Sequence, residues 1–150
     1  RGQKVLVYGA SGSVGTYTVQ IAKAFGVDVT AVCSTENLTM VKALGADRVI
    51  DYTQEDFSAD GAQYDAIFDA VGKCPKDKAD KALKPGGAFA SVAKLNTRQS
   101  LEELTYVHQL IEAGKVRAVI DRCYPLEQVP EAHRYVGMGR KAGNVIIQVA

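Results

Sequence analysis

Short β-branched, apolar stretches alternate along the chain with stretches whose apolar residues recur at helical spacing. Lys4–Gly9 is a continuous apolar run and predicts a buried strand. Val14, Val19, Ile21, Ala22 and Phe25 then fall on one helical face, and Gly26 stands where a C-terminal cap belongs. Val27–Cys33 predicts the next strand. Thr35 is placed to cap a helix running through Leu38, Val41 and Leu44 and ended by Gly45. Further strands are expected at Arg48–Tyr52, Tyr64–Val71 and Gly87–Ala93, the last entered through Lys84-Pro85-Gly86-Gly87. Between the last two, Pro75 opens a helix carrying Ala79, Ala82 and Leu83. Alternation at this pace implies βαβ units. Right-handed crossovers then give an α/β, doubly wound parallel sheet with helices on both faces. The C-terminal third reads as a helix over Leu101–Glu112 closed by Gly114, a short strand at Ala118–Ile120, a helix over Leu126–Val136 and a final strand at Asn144–Val149.

One strand-to-helix corner stands out. Gly9-Ala10-Ser11-Gly12-Ser13-Val14-Gly15 follows the first strand and opens the first helix. In that context a glycine-rich turn binds the pyrophosphate of a dinucleotide, and the fold is Rossmann-type. Gly12 lets backbone approach the phosphates, Gly15 lets helix pack on sheet, and the N–H groups and dipole of the helix start at Ser13–Gly15 attract the anion. Ser11 and Ser13 add hydroxyl donors. Ala10 replaces the motif's first glycine, which is tolerable if the turn needs no positive φ there.

The tip of the second strand sets the choice between cofactors. An NAD site usually carries an acid there to bond the ribose 2′-OH. Here the tip is Cys33-Ser34-Thr35-Glu36-Asn37, with Asp28 at the wrong end of the strand and Glu36 displaced along the loop. Lack of an acid at the tip favours NADP(H) over NAD(H), with Tyr52 and Lys42 as helpers. Phe68-Asp69-Ala70-Val71-Gly72 brings a third strand end to the same edge, where Asp69 reads as a structural hydrogen-bond acceptor.

Composition narrows the function classes. With 150 residues, 47% hydrophobic and 23% charged, the chain has a globular balance and a net charge of +1. That charge makes no case for nucleic acid or an anionic membrane. No apolar run approaches the ~20 residues of a membrane span, and no signal peptide is visible ahead of the first strand. Cys33, Cys74 and Cys123 are odd in number and widely spaced, which argues for free thiols in a cytoplasmic protein and against a cysteine-based zinc site. His108 and His133 sit in helical patterns without an acid or nucleophile at a useful spacing, and Ser91 and Ser100 lack a nucleophile-elbow context.

Taken in order, several segments resemble the zinc-free quinone oxidoreductase branch of the medium-chain dehydrogenase/reductase superfamily. They are Val5–Gly15, Gln20-Ile21-Ala22-Lys23, Leu44–Tyr52, Phe68–Gly72, Leu110–Val116, Val119–Arg122, Tyr124-Pro125-Leu126, Glu131–Tyr135 and Gly143–Ile147. The resemblance implies hydride transfer from NADPH to a quinone or α,β-unsaturated carbonyl, without zinc. It implies cofactor contacts at Ser11, Gly12, Ser13, Val14 and Gly15, at Ser34, Asn37 and Tyr52 near the 2′-phosphate, and at Val71, Gly72 and Val92 near the nicotinamide. Asn37 stands where members often use a lysine. Residues 1–117 match the dinucleotide-binding domain, abridged near 93–100, where members insert a helix and strand that often make dimer contacts. A second copy of the chain is therefore a candidate partner beside a small-molecule substrate. Residues 118–150 match a segment that packs on a catalytic domain, and that domain is not in the sequence.

Two alternatives accompany this reading. One is a dinucleotide-binding module without turnover of its own. The other is a methyltransferase-type Rossmann fold, disfavoured because its sites usually carry an acid at the second strand's tip.

Overall fold

The computed structural model describes residues 2–59, 61–94 and 100–149. The five N-terminal strands form where the apolar runs lie: β1 (Lys4–Tyr8), β2 (Asp28–Cys33), β3 (Arg48–Asp51), β4 (Tyr64–Asp69) and β5 (Leu83–Ser91). They make one parallel sheet in the order β3-β2-β1-β4-β5. The chain moves outward from β1 in one direction and then in the other, so the C-terminal end of β1 is the switch point of a doubly wound sheet.

Alternation along the strands divides the interior in two. Val7, Val29, Ala31 and Cys33 point to one face, where they pack with Val19 of α1 (Ser13–Ala24) and Val41 of α2 (Leu38–Ala43). Leu6, Val32, Ile50 and Ile67 point to the other, against Phe57, Tyr64 and the Ala79–Ala82 stripe of α3 (Lys76–Ala82). Both clusters are close to fully buried.

Three local expectations change. A single turn of 3-10 helix spans Thr35–Asn37 ahead of α2, and Thr35 caps nothing; its hydroxyl donates to the Asp51 carboxylate instead. β5 begins at Leu83, where the sequence predicted a helix end. Leu83 pairs with Tyr64, the chain then bulges through Lys84–Gly87, and pairing resumes at Ala66 with Ala88. The Lys84 ammonium, 2.8 Å from the Asp65 carboxylate, holds the bulge. Finally, the strand expected at Ala118–Ile120 lies later, as β6 (Ile120–Pro125).

The C-terminal third comprises α4 (Leu101–Glu112), β6, α5 (Val129–Gly137) and β7 (Asn144–Gln148). Ser100 and Glu103 form a reciprocal capping box at the start of α4. β6 and β7 pair in parallel as a separate two-stranded sheet. Buried Gln20 of α1 clamps the approach to β6: its amide accepts from the Arg117 N–H at 2.9 Å and donates to the Arg117 carbonyl at 3.0 Å. The shortened stretch near 93–100 falls largely on residues 95–99, outside the described residues. No helix among the described residues is long and apolar enough to cross a membrane.

Candidate functional site

The glycine turn is built by β1 and β2 together. Gly9 takes the positive φ of 78°, and both its N–H and that of Ala10 donate to the Val32 carbonyl at 3.0 and 2.9 Å. Ala10 is fully buried with ordinary φ, so the turn's demand for glycine falls one residue earlier. The glycines then divide by role. A Cβ on Gly15 would stand 2.1 Å from the Gly9 carbonyl oxygen, and one on Gly9 2.5 Å from the Val71 side chain. Those two are required by packing. A Cβ on Gly12 would meet only the Gly9 carbonyl, at an ordinary 3.6 Å, and Gly12 has extended backbone with φ −76°. Nothing within the chain needs glycine there, which leaves the space beside it for something outside the chain.

Gly12 is the N-cap of α1, yet no side chain caps that helix and its first turn holds no acid. The opening N–H groups of a helix have no intrahelical acceptor. At Ser13, Val14 and Gly15 they gather at the positive end of the helix dipole.

In front of this turn lies a cleft of about 710 Å³. Tyr8, Gly9, Ser11 and Gly12 form its floor. The tip of β2 supplies Cys33 through Asn37, the end of β3 supplies Tyr52 and Thr53, and the end of β4 supplies Val71 and Lys73. The fourth wall comes from far along the chain: Gly139, Arg140 and Lys141, between α5 and β7. Of the residues singled out from the sequence, Ser11, Gly12, Ser34, Asn37, Tyr52 and Val71 line this cleft. Ser13, Val14 and Gly15 form the adjoining helix turn, Gly72 sits between the lining residues Val71 and Lys73, and Val92, in the turn after β5, is not among the lining residues.

Each wall is braced from behind. Asn37 donates from its side-chain amide to the Ser34 hydroxyl at 3.0 Å. Asp51 accepts from the hydroxyls of Thr35 and Thr53, which hold its carboxyl below the usual range. Buried Asp69 accepts from the N–H groups of Val71, Gly72, Lys73 and Cys74 and from the Ser91 hydroxyl, at 2.9–3.3 Å. It shapes the loop after β4, the structural role expected of it, and it accounts for Ser91. Burial, then the neighbouring carboxylate, pushes the Cys33 thiol up to about 11 and the Cys74 thiol to about 12. Neither is a thiolate nucleophile near neutral pH.

Other assignments move. Lys42 is not a helper at the cleft: its ammonium donates to the Asp47 carbonyl at 2.6 Å and faces a separate shallow hollow. Glu36 does line the cleft, so an acid stands at the lip after all. Arg140, Lys141, Lys73 and Tyr8 were not singled out. A basic pair in a glycine-punctuated loop between helix and strand was the only local hint of the first two. Among the described residues no group of three or more His, Cys, Asp or Glu could hold a metal ion. His108 and His133 are exposed and outside the cleft.

Comparison with known proteins agrees with this geometry. Residues 13–132 match the family model described as zinc-binding dehydrogenase. The chain is 35% identical over 158 residues to an NADPH-dependent alkenal/one oxidoreductase, chloroplastic, from Arabidopsis thaliana, covering 97% of this chain and 40% of that protein. It is 36% identical over 158 residues to a 2-methylene-furan-3-one reductase from Solanum lycopersicum, with the same coverage. The quinone oxidoreductase of Coxiella burnetii superposes with a TM-score of 0.88 at 29% identity, covering 100% of this chain and 54% of that one. The chain thus spans about half or less of the length of these relatives. It belongs to the zinc-binding dehydrogenase family, in the quinone oxidoreductase branch of the medium-chain dehydrogenase/reductases, and comprises the nucleotide-binding part of that fold.

Proposed function

We propose that the chain is the NADP(H)-binding portion of a reductase that passes hydride from NADPH to a quinone or α,β-unsaturated carbonyl. The observation that carries the reading is Gly12, a glycine with no duty in the fold at the uncapped head of α1, facing an open cleft. The residues fit the cofactor. Ser11 and the N–H groups at Ser13–Gly15 would hold the pyrophosphate, the Gly12 N–H being engaged by the Gly9 carbonyl at 3.2 Å. Ser34, Asn37 and Tyr52 would receive the adenosine ribose, and Val71 and Gly72 would border the nicotinamide. The bound cofactor supplies the hydride. The chain orients it and shields one face through the braced loop after β4.

The NADPH dependence named for the Arabidopsis relative, the absence of an acid at Ser34 and the cleft's three cations support NADP(H). Glu36 acts against it. Calorimetric titration with NADPH and with NADH tests the reading. NADPH binding the tighter is the expected result, and no binding of either refutes it.

A second reading is a dinucleotide-binding part without turnover of its own. NADPH oxidation measured with a panel of quinones and enones separates the two. The three unpaired thiols fit a reducing compartment such as the cytoplasm.

A further inference from the structure

Two apolar surfaces stand open on the α1 side of the large sheet. We propose that they fit each other across a two-fold axis, α4 of one copy lying on the β4–β5 face of a second copy and the reverse. The first surface is α4 itself. A helix of twelve residues is marginal in water unless one of its faces is packed. Among the described residues, Leu110 is the one buried side chain of α4. The helix is held beside α1: the Tyr106 ring stacks on Phe25 with centroids 5.6 Å apart, and Val116 is buried one residue before the Gln20 clamp on Arg117. On another face Leu101, Leu104, His108 and Ile111 recur at spacings of three and four and form a stripe along the helix. That stripe is open to solvent, with Leu101 79%, Leu104 55% and Ile111 50% exposed.

The second surface is a floor on β4 and β5. Val7 points into the cluster under α1. Phe68 pairs with Val7 and Ala90 with Phe68, while Ala66 pairs with Val5 and Ala88 with Ala66. Residues in register share a face of the sheet, so Ala66, Phe68, Ala88 and Ala90 point to the α1 side. None of the four belongs to either buried cluster, and Ala88 and Ala90 are exposed. Small side chains on the floor suit the large ones of the helix stripe. Charge selects a second copy as the occupant. α4 carries Glu102, Glu103 and Glu112 and no Lys or Arg, whereas Leu83–Lys94 carries Lys84 and Lys94 and no Asp or Glu. Lys84 already pairs with Asp65, and Lys94 is exposed. An acidic helix on a basic strand is attractive, and a net charge of +1 sets little repulsion between copies. A chain that bears both halves of such a pair closes symmetrically with two identical contacts. A helix face about 18 Å long and 10 Å wide, counted for both contacts and both partners, gives about 700 Å² of projected area, and side-chain relief raises this toward ~1,000 Å², the small end for a specific interface.

The test is sedimentation equilibrium of the wild-type chain and two variants from about 5 to about 500 µM, a range that brackets the weak association expected of so small an interface. Leu104→Lys puts a charge in the stripe, and Ala88→Glu puts one in the floor. Both positions are exposed in the single chain, so far-UV circular dichroism and Tm should stay at wild-type values. The wild type should pass from monomer to dimer across the range. Each variant alone should remain monomeric throughout. An equimolar mixture of the two should dimerise again, because one contact is then unaltered and the other brings lysine to glutamate. Hydrogen exchange needs no variant and decides the matter if either one fails to fold: amides across 101–112 and 88–90 of the wild type should exchange severalfold more slowly at the top of the range than at the bottom. A wild type that stays monomeric, exchange in α4 indifferent to concentration, or a mixture no more associated than its components would overturn the inference. So would a dimer lost in Leu104→Lys but kept in Ala88→Glu, which is helix on helix, or one lost in Ala88→Glu but kept in Leu104→Lys, which is pairing along the edge of β5.

Discussion

Replacing Gly12 with aspartate separates folding from binding more sharply than any other single change. Aspartate is a favoured N-cap, and its charge suits the positive end of α1, which has no side-chain cap. Its Cβ has room, with 3.6 Å to the nearest atom, and the backbone at φ −76° needs no adjustment. The fold should therefore gain about 0.3–1 kcal/mol, equivalent to a rise in Tm of about 1–4 °C for a chain of this size. Cofactor binding should move the other way. A carboxylate about 4 Å from a diphosphate charge costs up to about 4 kcal/mol at an effective dielectric constant near 20. The cleft is open to water, so about half of that, or roughly 30-fold in Kd, is the realistic loss.

Gly15→Ala is the opposite control. Its methyl would sit 2.1 Å from the Gly9 carbonyl oxygen, forcing α1 away from the turn. Overpacking of this kind costs about 1–3 kcal/mol. Thermal melts and NADPH titrations of both variants give the answer. If Gly12→Asp binds NADPH as the wild type does, the space beside Gly12 is not the phosphate site. If it melts as low as Gly15→Ala, Gly12 is a packing glycine and the division of roles fails.

Three other outcomes follow from the cleft and its supports. Glu36→Gln removes an acid from the lip and should tighten NADPH severalfold while leaving NADH nearly unchanged; an equal effect on both would mean that Glu36 does not face the 2′-phosphate. Gln20→Leu leaves the Arg117 N–H and carbonyl without their partner, and should cost about 1–3 kcal/mol in denaturant melts with the slope unchanged. The thiols carry a pH prediction. Folding raises Cys33 and Cys74 from about 9 to about 11 and 12, so the folded chain holds their protons longer than the unfolded chain. Their contribution to stability is full below pH 9 and is lost as pH rises from there toward 12. A Cys33→Ala, Cys74→Ala double variant should lose less stability across that window than the wild type. In native protein at pH 8, exposed Cys123 should react with a thiol reagent well ahead of the other two.

What was legible in the sequence was local. The alternation of strand and helix, the glycine turn, the small polar tip of β2 and the acceptor role of Asp69 depend on residues near one another, and period and spacing report them directly. The missed half of the cleft depends on long-range return. The Ser13 hydroxyl meets the Gly143 carbonyl across 130 positions, and no periodicity announces that meeting. Thr35 misled because hydroxyl residues before a helix usually cap it, whereas this one found a buried carboxylate across the sheet edge. Glu36 is displaced along the loop in sequence, but a 3-10 turn tightens that loop and brings it to the lip. The early start of β5 was hidden by Lys84-Pro85-Gly86-Gly87, which reads as the turn before a strand and is instead a bulge inside one.

The pair of hydrogen bonds from the Gly9 and Ala10 N–H groups to the single Val32 carbonyl has a kinetic consequence. It fastens the turn to the neighbouring strand in the middle of the sheet, where the backbone is least free to move. The conformational entropy of ordering a phosphate-binding loop is then settled when the chain folds, not when the cofactor arrives. Association should be a single concentration-dependent step without a slow isomerisation of the turn, and differences in affinity among variants should lie chiefly in how fast the cofactor leaves.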